Sequence, residues 1–301
     1  MSRRKNRIDD HAEYAPYFGN ELDWIRLTTG PIEVGASADD IPGGGDRWST
    51  WDQSQASERG PQPYPDWLVT ELAAVDHELG VLKTGKEADV HLLRREVPDG
   101  GRSCLLAAKR YRDDEHRQFH RSAVYQEGRR TRRTRDARAM HNRSAFGRQL
   151  LAGHWARAEF DALALLHQLG SAVPYPVQIV GTEILLEFIG EPDGSAAPRL
   201  SEWPGRGAEL AGLWEQAVEL MVTLAGAGYA HGDLSAFNLL VHRDRLVMID
   251  LPQLVDVVGN PQGPSFLDRD ASTVAGWFTR HGHPADVAAL LDRLHSEARI
   301  R

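Results

Sequence analysis

The 301 residues contain a single cysteine, Cys104. An internal disulfide is therefore excluded, and a reducing compartment suits the chain. Cys104 lies inside an apolar run and reads as a small core residue rather than a nucleophile. Long apolar runs are missing as well. Nothing approaches the roughly eighteen uninterrupted apolar residues that a membrane helix needs. The opening MSRRKNRIDDHAEYAPYF has basic residues with no apolar stretch behind them, so no secretory leader is expected and a cytoplasmic location is. Nor is there an excess of positive charge. The formal net charge is −8, which gives no general reason to expect nucleic acid as the partner.

The length suits one two-lobed domain with a tail. Residues 1–62 are polar and rich in Asp, Gly and Ser and read as largely irregular, although Trp24, Trp48 and Trp51 could dock on the folded part. Pro65 opens a predicted packing helix in which Trp67, Leu68, Leu72 and Val75 repeat at helical spacing. Two β-hairpins follow, one turning at Thr84-Gly85-Lys86 and the next at 98–101. The first turn can lay backbone N–H groups over phosphates, with Lys86 adding charge, though most such turns bind nothing. Lys109 ends the apolar strand Leu105–Ala108 beside that turn, where phosphoryl transfer places its α/β-phosphate lysine.

The stretch 129–138 reads RRTRRTRDAR. It suits a solvated loop better than a docking surface for an acidic partner or RNA phosphates. With no aromatics interleaved, sequence-specific RNA readout is not expected. Ser122, Thr131, Thr134 and Ser144 are candidate phosphorylation sites. The next helix ends at Gly170 and turns Trp155, Phe160, Leu163, Leu166 and Leu169 inward. Glu159 sits near that apolar face, where a carboxylate is costly unless paired, and Lys109 is the available cation. Two strands lead to the Gly- and Pro-rich GEPDGSAAPRL. That composition shift places a boundary between lobes at 63–189 and 190–301, with adenine expected in the cleft. An amphipathic helix over 208–227 precedes the next loop, and Pro284 is expected to start the last helix.

The informative stretch is YAHGDLSAFNLLVHRDRLVMIDLPQLVD, residues 229–256. Asp233 and Asn238 are followed by two short β-rich runs around a polar turn, and the second run ends in Asp250. A hairpin returns its outer ends to one place, so Asp233, Asn238 and Asp250 converge. Taken singly, each residue is an ordinary turn former or cap. Together they form an oxygen-rich set suited to Mg²⁺ completed by substrate phosphates, and they match the template in which one Asp accepts a hydroxyl proton while Asn and Asp hold metal.

These pieces, in this order, resemble the RIO-type atypical serine/threonine protein kinases over roughly Trp67 to the C-terminus. KTGKEADV (83–90) is similar to the family's short phosphate loop, AAKRY (107–111) to its lysine strand and HWARAE (154–159) to its glutamate helix. LLEFIG (185–190) is similar to the hinge, and HGDLSAFN (231–238) and IDLPQ (249–253) to the catalytic and metal loops. NPQGPSFLDRD (260–270) is similar to the segment that follows. The resemblance implies an α+β, two-lobed kinase-like fold, with an antiparallel β N-lobe carrying one key helix and a reduced, mainly helical C-lobe. It implies Asp233 as catalytic base, Asn238 and Asp250 as metal ligands, Lys109 on the phosphates and Glu159 orienting Lys109. Glu187 and Ile189 would meet adenine through backbone groups, and Thr84, Gly85, Lys86 and Glu87 would lie at the phosphates.

Lys83 departs from the family, standing where a serine is common. Residues 112–148 also diverge, and no winged-helix pattern precedes residue 63. The implied activity uses ATP with Mg²⁺ (or Mn²⁺) to phosphorylate protein serine, including the chain's own. Two other readings are an ATPase switch working with ribosomal particles and a small-molecule kinase of the aminoglycoside or choline type. KTGKEAD and NPQGPSFLDRD speak against the latter.

Overall fold

The computed structural model describes residues 44–98, 100–112, 145–205, 207–252 and 254–300, with side chains from residue 150 onward in the third stretch. The basic run 129–138, Trp24 and the four candidate phosphorylation sites lie outside the described residues.

Six strands form one antiparallel sheet: β1 (Arg47–Trp48), β2 (Val75–Thr84), β3 (Ala88–Glu96), β4 (Ser103–Tyr111), β5 (Pro176–Val180) and β6 (Glu183–Glu187), in the order β1-β2-β3-β4-β6-β5. Helix α1 (Ala145–Gln168) connects β4 to β5. Alternation along β4 shows why the sheet has two covered faces. Cys104, Leu106 and Ala108 join one cluster with Trp51, Leu68, Val69 and Tyr175. Ala107 and Tyr111 face the other side, where Ala156, Phe160, Leu163 and Leu166 of α1 pack.

The first of these faces corrects two expectations. Residues 44–62 are not simply irregular, because β1 pairs with β2 and Trp51 is buried. The docking foreseen for the tryptophans holds for Trp51. The helix expected from Pro65 does not form. Leu68 and Val69, adjacent in sequence, are both buried while Leu72 is exposed, a pattern no helical stripe produces. The outer face of the sheet needs apolar cover along its length, and that burial overrides a weak helical propensity. In α1, Phe160, Leu163 and Leu166 are buried as expected. Leu169 is half exposed instead, lying past the helix end, where Gly170 turns the chain at φ +75°.

The second half is mainly helical: α2 (Ala208–Gly226), α3 (Gly263–Arg280) and α4 (Val287–Glu297) enclose strands β7 (Tyr229–Ala230), β8 (Leu239–His242), β9 (Arg245–Met248) and β10 (Val255–Asp256). Strand β7 pairs with β10, and β8 with β9. The β8–β9 turn places Arg243 and Asp244 at φ 50° and 62°, the twist-matched geometry of a two-residue hairpin. Helix α4 begins after Asp286, whose carboxylate accepts from the Ala289 N–H, rather than at Pro284. One apolar cluster runs from Ile184 and Leu186 of the sheet through α1 to Leu213, Leu246 and Phe278, so both halves share a core.

Candidate active site

Lys109 leaves β4 on the α1 side of the sheet, and its ammonium donates to two carboxylates. Nζ lies 2.6 Å from Glu159 Oε1 and 2.7 Å from Asp250 Oδ1. One residue therefore ties the sheet, α1 and the end of the β8–β9 hairpin. Burial opposes the charge on Lys109, but the Glu159 and Asp250 carboxylates outweigh it and hold the ammonium above the ordinary lysine range. Glu159 is buried and fully engaged. Its Oε1 also accepts from the Leu251 N–H at 3.2 Å, and its Oε2 accepts from the Tyr111 hydroxyl. Burial, then the Glu159 charge, push that phenol well above its usual range. The pairing of Lys109 with Glu159 expected from sequence is present.

Asp250 follows β9 with φ at 68°, a left-handed conformation that a non-glycine residue keeps when its surroundings require it. Burial raises its carboxyl pKa, yet Lys109 more than reverses this, leaving it below the ordinary aspartate range. The carboxylate stays ionised and 43% exposed. Asn238 Nδ2 donates to the Asp233 carbonyl at 3.0 Å, and its backbone carbonyl accepts from the Ile249 N–H at 3.0 Å. With Nδ2 engaged, Oδ1 is the end with lone pairs to offer a cation. The hairpin thus brings Asp233, Asn238 and Asp250 to one end, with the Asp233 side chain exposed.

The donors fit a hard cation. Asn238 Oδ1 and the ionised Asp250 carboxylate are oxygen donors of the kind such a cation takes, and among the described residues no group of three His, Cys, Asp or Glu could hold a metal alone. A Mg²⁺ at such a site keeps waters and borrows phosphate oxygens.

Other predicted residues are placed less uniformly. Gly85 closes the β2–β3 turn with its N–H on Ala88 O, and a Cβ there would meet that oxygen at 2.8 Å. Lys86 is exposed beside it, and Glu87 accepts the Arg112 N–H on its backbone carbonyl. The register puts Thr84 opposite Asp89 and Asp89 opposite Arg110. That row lies on the face away from Lys109, so the Thr84 side chain is turned from the cleft. Glu187 donates its N–H to Tyr175 O, and Ile189 O accepts from Ala197 N.

Sequence reasoning missed the role of Asp270. This buried α3 carboxylate accepts the Gly232 N–H at 2.7 Å and the Leu234 N–H at 3.0 Å, holding the loop that carries Asp233 from both sides. Burial raises its pKa, and Arg269 donates to the Gly232 carbonyl next door. An aspartate spaced among Leu267, Ala271 and Val274 as though it shared their apolar face was the available signal.

A family model described as the RIO domain matches residues 106–290. The RIO-type serine/threonine-protein kinase Rio1 of Haloferax volcanii is 35% identical over 213 residues, which cover 71% of this chain and 67% of that protein. Rio1 of Thermoplasma acidophilum is 31% identical over 133 residues, covering 44% of this chain and 67% of that protein. Among solved structures, the Rio2 kinase–ADP/Mg²⁺–phosphoaspartate complex from Chaetomium thermophilum superposes with a TM-score of 0.51 at 21% identity, covering 74% of this chain and 66% of that one. That last likeness concerns the fold, which is kinase-like and two-lobed.

Proposed function

Because the chain belongs to the RIO domain family, we propose that its cleft is the active site of an ATP- and Mg²⁺-dependent serine/threonine protein kinase. The observation that carries this reading is Lys109, bonded at once to Glu159 and Asp250. Glu159, locked by Tyr111 and Leu251, orients the ammonium, and Lys109 presents it to the α/β-phosphates. Asn238 and Asp250 would hold the Mg²⁺, which supplies charge neutralisation on the phosphates; Mn²⁺ has the same ligand preferences. Asp233 accepts the proton of the acceptor hydroxyl as its oxygen attacks the γ-phosphorus. The bond to the β–γ bridging oxygen breaks and ADP leaves. A positioned base of this kind contributes about 10²–10⁴-fold. Adenine would meet Glu187 C=O and Ile189 N–H, since Glu187 N–H and Ile189 C=O already bond within the protein. Gly85, Lys86 and Glu87 would lie over the phosphates. The acceptor is a protein serine, including the chain's own.

Incubation of the protein with γ-labelled ATP and Mg²⁺ tests this, with label followed separately in protein serine, free phosphate and added aminoglycoside or choline acceptors. Label on serine that is lost in Asp233→Asn supports the kinase. Free phosphate with little labelled protein would replace phosphotransfer by ATP hydrolysis and favour the switch reading, in which ribosomal particles would stimulate turnover. Label in the small acceptors would move the chain to small-molecule kinases.

A further inference from the structure

The β2–β3 hairpin carries an irregularity whose effect falls on one residue. Val81 pairs with His91, but the next partner of Val90 is Lys83, not Leu82. Leu82 is the extra residue of a bulge, and such bulges re-aim the side chain that follows them. Val90 in turn lies opposite Lys109. Directly opposed residues of antiparallel strands project from the same face. Lys83, Val90 and Lys109 therefore form one row on the cleft side of the sheet, with the two lysines separated by two strand spacings, roughly 10 Å at Cα. Without the bulge, Lys83 would face outward in the row of Asp89 and Arg110.

A second cation acts on Lys83 through space from the other half of the molecule. Arg199 is fixed beside the catalytic loop by a backbone bridge to Leu240 and by a bond from its guanidinium to the Phe237 carbonyl. The charges acting on Lys83 are those of the cleft. Lys83 is exposed at the mouth of the hairpin, so its desolvation is only partial; that and then Arg199 disfavour its ammonium, Lys109 adds to this, and Asp250 opposes them, with a net lowering of its pKa. Lys83 thus feels two other cations, Arg199 and Lys109, while Asp250 is the carboxylate acting on it, and one oxygen of that carboxylate is already bonded to Lys109. Like charges held together in this way favour a polyanion between them.

We propose that Lys83, turned to the cleft side of the sheet by the bulge at Leu82, is a second phosphate-contacting lysine that sets how strongly the site prefers nucleotides with a phosphate chain. This rests on reading the cleft as an adenine-nucleotide site. Adenosine, AMP, ADP and ATP, the last two with Mg²⁺, would be titrated by calorimetry into the wild type, Lys83→Met and Lys83→Arg. Methionine keeps the aliphatic stem and removes the charge. Lys83→Met should weaken ADP and ATP roughly tenfold, as expected for one lost charge-assisted contact, and leave adenosine within about twofold. Lys83→Arg should restore most of the loss. Equal affinities of wild type and Lys83→Met for ATP would overturn the proposal while leaving the nucleotide site intact. So would a loss of adenosine as large as that of ATP, which would mark Lys83 as a packing residue. A wild type that binds none of the four ligands would overturn both this proposal and the kinase reading.

Discussion

The same sheet carries an ion network on each face, and the two are built differently. On the outer face Arg95 and Asp76 are both buried and paired through two bonds, Nε–Oδ1 at 2.7 Å and Nη2–Oδ2 at 3.1 Å. Arg95 also donates to Gln178 Oε1 at 3.1 Å, and Gln178 Nε2 donates to Thr50 Oγ1 at 2.7 Å. Asp76 also pairs with the partly exposed Arg47 of β1 at 3.4 Å, so every partner comes from the sheet and its N-terminal cover, and in that sense the network is closed. On the cleft face, Lys109 is shared between Glu159, which is locked, and Asp250, which comes from the other half and is partly open to solvent. A planar, doubly paired guanidinium suits permanent burial. A flexible ammonium with one solvent-facing partner can exchange that partner for phosphate or share it with a metal. Both networks obey the same electrostatics, and what separates a structural pair from a working one is an open end.

Breaking the closed network should give the largest effect. Arg95→Met removes the doubly bonded partner of the buried Asp76 carboxylate and leaves it only Arg47 Nε, 3.4 Å away; removing one member of a buried pair costs up to about 3–5 kcal/mol. Denaturant unfolding should show this as a lower midpoint. Combining Arg95→Met with Asp76→Leu should recover much of the loss, because an apolar pair of similar volume is often close to neutral. A double variant as unstable as the single one would mean that the network also fixes the N-terminal cover.

Breaking the open network should reverse the pattern. Asp250→Asn removes the charge at the exposed end, so unfolding should change by less than about 1 kcal/mol. Phosphotransfer should fall by about 10²–10³-fold, the range for loss of a preorganised charge at the reacting phosphates. A variant that instead unfolds like Arg95→Met would show that the Asp250 end is structural.

An intermediate case is Asp270, closed like the outer pair but placed against the catalytic loop. Asp270→Asn leaves one acceptor for two N–H donors, and an unsatisfied buried group costs about 1–3 kcal/mol. Because the donors flank Asp233, phosphotransfer should fall together with stability, and hydrogen exchange at Gly232 and Leu234 should quicken. Faster exchange with unchanged turnover would separate loop order from catalysis.

How much of this was legible depended on sequence distance. The β8–β9 hairpin, with Asn238 before it and Asp250 after it, could be read because every part lies within one local stretch. Lys109 and Glu159 are 50 residues apart, yet a lysine ending an apolar strand and a carboxylate on an apolar helix face each called for the other. Asp76 and Arg95 gave no such signal, since charged residues in strands ordinarily face water; they lie on the sheet face whose apolar residues pack with Trp51, Leu68 and Val69. The bulge at Leu82 has no glycine to mark it, so the sequence did not show that the Lys83 side chain projects to the cleft side and that of Thr84 away from it. Asp270 stood inside a recognised segment, but its partners lie 36 and 38 residues earlier.

The smallest expected effect concerns pH, and it tests whether the open network is set by its own charges. Lys109 is held above the ordinary lysine range, so its contribution is complete below that range and is lost only as pH rises through the raised value. Asp250 is held below the ordinary aspartate range, so its contribution is present above that range and is lost as pH falls through the lowered value. Between about pH 4, the ordinary carboxylate value, and about pH 10, the ordinary lysine value, both groups are charged whether the chain is folded or not. The stability difference between the wild type and Asp250→Asn should therefore be the same at pH 5.5 and pH 9. A difference that changes between these two pH values would show that the open end is not set by Lys109 and Asp250 alone.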